Sequence, residues 1–339
     1  SAIAANATAA NGSEIPIENP VSEQVETTVK QEADNVLVLD FLDLKGKKID
    51  LKETYFMKAM HQLYDSSGFK MGNPWQHKIQ YKQDYMTLDT FKTGSGFEVN
   101  YHFNVAAGAD LNALSGLDAV IERPELWDLF LNGTKLTKSD KWWIDREFYR
   151  FPVGGHLKAG ENILTLKAEK MSVHAEIMPA YLVGNFKLTP LKQGFEVTNG
   201  SINALGPWKT QGFPFYSQKV LYTQKYKTLQ SGKTYKLKLN RWNGTMAVVY
   251  LNGVKTGLIT TSPFEISLPA NLKTDENTLS VEVIGSLKNT FGFLYKSSTG
   301  RWIIGPGDWD VAPATLPSLD QYFLLEYGLF EPFSLVSMN

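Results

Sequence analysis

An apolar run ending in Asn-Gly occurs twice in this chain, as DLFLNG over residues 128–133 and as VVYLNG over residues 248–253. Asn-Gly after an apolar run is the strongest short-range hairpin signal, because a tight two-residue turn needs positive φ. The likeness extends outward. Gly160-Glu161-Asn162 leads into ILTLKA after the first run, and Asp275-Glu276-Asn277 leads into TLSVEV after the second. Trp75 in GNPWQHK and Trp208 in GPWKTQG open the two stretches, while YLVGNFKL (181–188) and LEYGLFEPFSL (325–335) close them. Landmarks that agree in type and order imply one β-rich module present twice.

The length of 339 residues fits two domains. With 34 basic against 35 acidic residues and no long basic run, nucleic acid and anionic membranes are not expected partners. There are no cysteines, which excludes disulfides, thiolate zinc sites and a cysteine nucleophile. No stretch is long and apolar enough for a membrane-spanning helix. The opening SAIAANATAANGSE has neither the basic start nor the apolar core of a signal peptide, and reads as an internal starting point in a longer protein.

Residues 1–34 read as a linker, with one short helix from Ser22 to Ala33. NVLVLDFLDL from Asn35 is an apolar run of strand length, and IDLKETYFMKAMHQLYDSSG carries Tyr55, Met60, Leu63 and Tyr64 at helical spacing. Beyond it the pattern is strands: HKIQYKQDYMTL, FEVNYHFNV, AVIE, REFYRFPV and ILTLKA, then KVLYTQKYKT, KTYKLKLN, FEISLPANL and FGFLYK. FEVTNG (195–200) reads as the link between modules. The expected fold is all-β with minor helix: two tandem antiparallel β-sandwich or jelly-roll domains, over 35–190 and 191–339. The second carries an insertion over 296–321, rich in Gly, Pro and aromatics, with no counterpart in the first.

The order of these landmarks resembles the sugar-binding domain of glycoside hydrolase family 2 and related galactose-binding-like jelly rolls. The matching positions are Leu131-Asn132-Gly133, Phe151-Pro152-Val153 and Gly160-Glu161-Asn162, then Leu251-Asn252-Gly253, Phe264-Glu265-Ile266 and Glu276-Asn277. Asp275 stands where the first copy has Gly160. NVLVLDFLDL ahead of a GNPW turn also looks like the region after the catalytic barrel in family 106-type α-L-rhamnosidases. The resemblance implies an accessory region of a larger polysaccharide-degrading glycoside hydrolase, bacterial, and periplasmic or extracellular. Carbohydrate and the parent's catalytic barrel would be its partners. It implies no organic cofactor and leaves room for a structural calcium ion. Fold analogy alone does not establish function, and a free-standing carbohydrate-recognition or adhesion protein is the alternative.

Glycoside hydrolysis needs two facing carboxyl groups, about 5–9.5 Å apart. The acids Asp40, Asp43, Glu122, Glu125, Asp145, Glu147, Asp308 and Asp310 show no spacing that pairs two on one surface, so no catalytic residue is assigned. A complete glycosidase within this chain is the least favoured reading. His61, His77, His102, His156 and His174 are scattered without metal-ligand spacing. Carbohydrate binding is the positive expectation, since an indole stacks on a sugar's C–H face while Arg, Asp and Asn take its hydroxyls. Arg301, Trp302, Asp308, Trp309 and Asp310 supply both kinds of group in the insertion, and Trp142, Trp143 and Arg146 do so in the first module. Neighbouring side chains on a strand point oppositely, so one of Trp142 and Trp143 is exposed or covered by a neighbouring domain.

Overall fold

The computed structural model describes residues 18–23, 25–70, 72–76, 82–295 and 311–338. Two strands come first, β1 (Glu18–Pro20) and β2 (Thr28–Gln31). Then follow β3 (Asn35–Leu39), β4 (Phe41–Gly46), β5 (Ile49–Tyr55), β6 (Phe97–Val105), β7 (Asp118–Glu122), β8 (Asp128–Leu131) and β9 (Thr134–Lys135). Next are β10 (Trp142–Trp143), β11 (Asp145–Pro152), β12 (Gly160–Ala168), β13 (Ala180–Gly184), β14 (Lys187–Pro190) and β15 (Phe195–Thr198). A second set holds β16 (Lys219–Tyr226), β17 (Thr234–Lys238), β18 (Trp242–Asn243), β19 (Met246–Leu251), β20 (Val254–Ile259), β21 (Glu265–Ser267) and β22 (Asn277–Ile284). The series ends with β23 (Leu294–Tyr295), β24 (Tyr322–Phe323), β25 (Gly328–Leu329) and β26 (Ser334–Met338).

The strands form two β-sandwiches. One sheet of the first runs β10-β11-β7-β13-β3, and the other β14-β15-β6-β12-β8-β9, with β4 also on β6. The second pairs β2-β16-β22-β19-β20 with β1-β26-β17-β21. The order β3-β13-β7-β11 of the first sandwich therefore recurs as β1-β26-β17-β21, and β4-β6-β12-β8-β9 recurs as β2-β16-β22-β19-β20. Pairing is antiparallel throughout, apart from β15 against β6.

The Asn-Gly hairpins hold the same positions in both sandwiches. Asn132 and Asn252 sit at φ 51° and 52°, followed by Gly133 and Gly253 at 83° and 81°, the left-handed pair such a turn requires. Each Asn then clasps a second, buried Asn on the neighbouring strand. Asn132 donates to Asn162 Oδ1 at 2.9 Å and accepts from the Ile163 N–H at 3.1 Å. Asn252 donates to Asn277 Oδ1 at 3.0 Å and accepts from the Thr278 N–H at 2.9 Å. Asn162 and Asn277 each close a turn by bonding the backbone four residues back, at Lys158 and Lys273. The Asn-Gly and Glu-Asn landmarks are thus two halves of one hydrogen-bonded device.

The segment expected as a linker is structural. β1 lies on β26 and β2 lies on β16, so the second sandwich is assembled from pieces that flank the first in sequence. Glu23 accepts from the N–H groups of Lys227 and Thr228 at 2.9 Å each, and Gln31 accepts from the Ile202 N–H at 3.1 Å. Val21, Val25, Val29 and Ala33 pack on the second core. The helix expected from Ser22 to Ala33 does not form among the described residues, where Thr28–Gln31 is instead β2.

Other segments differ as well. NVLVLDFLDL is two strands, β3 and β4, that belong to different sheets and meet at a corner on Asp40. The expected helix is confined to α1 (Phe56–Ser66), whose Phe56, Met57, Ala59, Met60, Leu63 and Tyr64 are buried; Ile49–Tyr55 before it is β5. Within HKIQYKQDYMTL, Lys82–Leu88 forms α2, whose Tyr85 packs edge-on against Trp75 at 5.9 Å. FEVTNG contributes β15 to the first sandwich rather than a free link.

Of the landmark tryptophans, Trp208 is buried in the second core and Trp75 packs, partly buried, against the first. Trp208 donates to the Tyr222 hydroxyl at 2.8 Å, and Trp75 to the Val173 carbonyl at 2.7 Å. Between the sandwiches the core is aromatic: Phe215, carried on the segment before β16, packs on Phe195 at 5.4 Å and on Tyr322 at 5.2 Å. Tyr295 reaches Tyr55 at 5.8 Å, so the first core continues without a break into residues of the second set.

Candidate carbohydrate-contact site

Residues 138–150 build an aromatic edge on the first sandwich. β10 is the outermost strand of its sheet and pairs with β11, Trp142 lying opposite Tyr149. The register breaks after Trp142, and Ile144 turns the chain at φ 63°, a left-handed value that costs a β-branched residue energy. Asp145 steadies the turn by accepting the Glu147 N–H at 2.9 Å. Alternation along the strand sends the two indoles to different environments.

Trp142 is 52% exposed and Trp143 is 8% exposed. Trp143 packs on Tyr181 at 5.3 Å and on Phe291 at 5.6 Å, while Phe148 meets the same two rings at 5.9 and 5.6 Å. Phe291 belongs to α3 (Lys288–Phe291), so the second sandwich covers Trp143 and a ligand cannot reach its faces. Trp142 presents its ring to solvent beside half-buried Tyr149, over whose ring the Lys138 ammonium stands at 3.9 Å. Arg146 is exposed on the same hairpin. An exposed indole on an edge segment that also carries exposed Lys138, Asp140, Lys141 and Arg146 can stack on a sugar face, with polar groups nearby in the chain for its hydroxyls. Tyr149 and Lys138 were not singled out from the sequence; the alternation in REFYRFPV was the signal that could have placed Tyr149 beside Trp142.

Arg301, Trp302, Asp308, Trp309 and Asp310 lie outside the described residues. The end of that insertion is anchored: Leu316 N–H donates to Glu53 at 3.3 Å, and Gly194 N–H donates to the Pro317 carbonyl at 2.9 Å. Its base is closed by the β23–β24 ladder, Tyr295 opposite Tyr322.

The acids have separate surroundings. Asp40, at the β3–β4 corner, is 1% exposed and accepts from the Tyr295 hydroxyl; its Oδ1 has no hydrogen-bond partner, and burial pushes its carboxyl up to about 7. Asp43 accepts from Lys52 at 2.8 Å and from the Glu53 N–H at 2.9 Å. Half-exposed His102 stands between Asp43, at 3.3 Å, and Glu161, at 3.0 Å. Burial raises Glu122, and the nearby Glu176 charge adds to it. Glu125 pairs with Arg123 at 3.1 Å. Among the described residues, no group of three or more His, Asp or Glu side chains is arranged to hold a metal ion. No described helix is long and apolar enough to cross a membrane.

No protein-family profile matches the chain, and no curated protein matches it. Solved structures it is similar to include glycoside hydrolases. A rhamnosidase from Novosphingobium sp. PP1Y aligns at 17% identity and a TM-score of 0.29, over 76% of this chain and 26% of that one. A β-D-mannosidase from Dictyoglomus thermophilum aligns at 12% identity and a TM-score of 0.27, over 74% and 31%. A β-glucuronidase from Bifidobacterium dentium aligns at 10% identity and a TM-score of 0.25, over 79% and 44%. The chain spans less than half the length of each of these proteins.

Proposed function

We propose that this chain is a non-catalytic, carbohydrate-contacting region of a larger polysaccharide-degrading glycoside hydrolase of the α-L-rhamnosidase-like kind, built from two galactose-binding-like sandwiches. On this reading the protein works outside the cytoplasm, and the sandwiches hold polysaccharide near a catalytic barrel. The observation that carries the binding reading is the exposed Trp142, paired with Tyr149 on the outermost strand of its sheet while its neighbour Trp143 is buried in the core. An indole left half in water on a fixed strand has little to gain for stability, and gains most by stacking on an apolar face that is itself hydroxyl-rimmed.

Affinity electrophoresis through gels of neutral and acidic polysaccharides tests this. Trp142→Ala is expected to weaken retention by roughly a factor of ten, the worth of about 1.4 kcal/mol, with the thermal midpoint unchanged. Unaltered retention on every gel that holds the parent would remove this edge as a binding surface. The same gels with Trp302→Ala and Trp309→Ala read the contribution of the insertion.

A further inference from the structure

The second sandwich has its own opening at the edge that corresponds to the Trp142 edge of the first. There β20 and β21 are the outermost strands of the two sheets, and a groove of about 700 Å³ lies between the hairpin at 251–256 and the segment 267–273. That volume falls within the range of about 300–1,000 Å³ typical of small-molecule sites. Val254 and Pro269 give it apolar wall, Thr256, Ser267 and Asn271 give hydroxyl and amide groups, and Lys255 and Lys273 bring two positive charges.

Comparison of the two sandwiches shows that the charge of the hairpin lysine is committed in the first and uncommitted in the second. Lys135 and Lys255 both follow an Asn-Gly turn by two residues, and Lys158 and Lys273 both stand four residues before the clasped Asn. In the first sandwich Lys135 is neutralised by Asp128 at 2.7 Å. The position of Asp128, four residues before the turn Asn, is Val248 in the second. Among the described residues neither Lys255 nor Lys273 has a carboxylate within ion-pair distance. The nearby Asp275 carboxyl is held low first by the Glu276 N–H and its own, with Lys273 adding least. Both walls are also fixed to each other. Asn252 on the hairpin bonds Asn277, which bonds the backbone of Lys273 on the opposite wall. A groove held by its own hydrogen bonds spends little entropy on ordering when a ligand enters.

We infer that the groove between the β19–β20 hairpin and residues 267–273 binds an acidic sugar residue, its anionic group between Lys255 and Lys273 and its C–H face on Val254 and Pro269. This deepens the carbohydrate reading and rests on it, naming a charged sugar class and a second site.

Affinity electrophoresis of the whole chain through polygalacturonate, a sulfated galactan and a neutral galactan, each at low and high salt, tests the assignment. Lys255→Met with Lys273→Met is expected to cut retention on an acidic gel at least tenfold and to remove its salt dependence. The neutral gel should not register the change, nor should Lys135→Met alter any gel. Loss on polygalacturonate alone assigns the anionic group as carboxylate; loss on the sulfated gel alone assigns it as sulfate. Lys255→Glu, which reverses one charge at an exposed position, should give the same pattern, and unchanged near-ultraviolet dichroism of each variant confirms folding. Equal retention of parent and double variant on the acidic gels, or equal loss on acidic and neutral gels, overturns the inference while leaving the Trp142 result standing. Failure of the parent to bind any gel overturns the carbohydrate reading and this inference together.

Discussion

Asn252 and Asn277 show how much two side chains can fix. The Asn252 amide donates to Asn277 and its carbonyl oxygen accepts from Thr278, so one residue ties the hairpin to β22. Asn277 is 1% exposed; without Asn252 its Oδ1 keeps only the Lys273 N–H, and the Thr278 N–H loses the side-chain oxygen it donates to. Removing one partner of a buried polar pair costs about 1–3 kcal/mol. Asn252→Ala is therefore expected to lower unfolding free energy by about that amount, with strain from the positive φ adding to it. Asn132→Ala should behave alike in the first sandwich. Urea titrations showing a loss below about 0.5 kcal/mol for both would mean the clasp is dispensable.

At the scale of elements, β1 and β2 are the decisive strands. They are short, lie at sheet edges and point much of their surface at solvent, so their sequence carries little apolar alternation. What holds them is long-range. β2 pairs residue by residue with β16 from Thr28 opposite Thr223 to Gln31 opposite Val220. Glu18 is held below the usual carboxylate range by Lys238, then Lys236, and Glu265 is held low by Lys236, then Lys238, which joins β1, β17 and β21 in one charged row. Truncation before Asp34 should unfold or loosen the second sandwich and leave the first folded. Hydrogen exchange would show it as faster exchange of β16 and β26 amides with β6 and β12 unchanged. Equal protection in the truncated chain would make the N-terminal strands ornamental.

For the whole molecule, the junction between sandwiches buries a carboxyl, that of Asp40. Its carboxyl sits among Tyr295, Tyr322 and Tyr55, and burial raises it from 3.8 to about 7. Burial likewise carries the Tyr295, Tyr322 and Tyr101 hydroxyls far above neutrality, so they do not ionise in this range. Because the folded state holds the proton more tightly than the unfolded chain, the stability tied to Asp40 is complete below about pH 4. It is lost as pH climbs to about 7, at up to about 1.4 kcal/mol per unit. Asp40→Asn keeps an acceptor for Tyr295 and cannot ionise, so its stability should be flatter between pH 4.5 and 8 and exceed the parent's at pH 8. His102 lines the same cavity, of about 50 Å³. Parallel pH profiles for parent and Asp40→Asn would assign the dependence elsewhere.

The β class and the hairpins were legible in the residues because they are local. Asn-Gly imposes its turn wherever it falls, and alternation in FEVNYHFNV or REFYRFPV marks one buried face by the period of the strand itself. The exposure of one indole in Trp142-Trp143 follows from the same geometry. Partners distant in the chain carry no such mark. Only the folded molecule decided that residues 18–31 complete a sandwich whose other strands begin at Lys219. It also decided that Asp40 turns a corner into the dark, and that Phe291 covers Trp143 rather than Trp142. Periodicity reports how a residue faces its own element. What lies across that face depends on which segment folds back over it, and one strand cannot encode that choice alone.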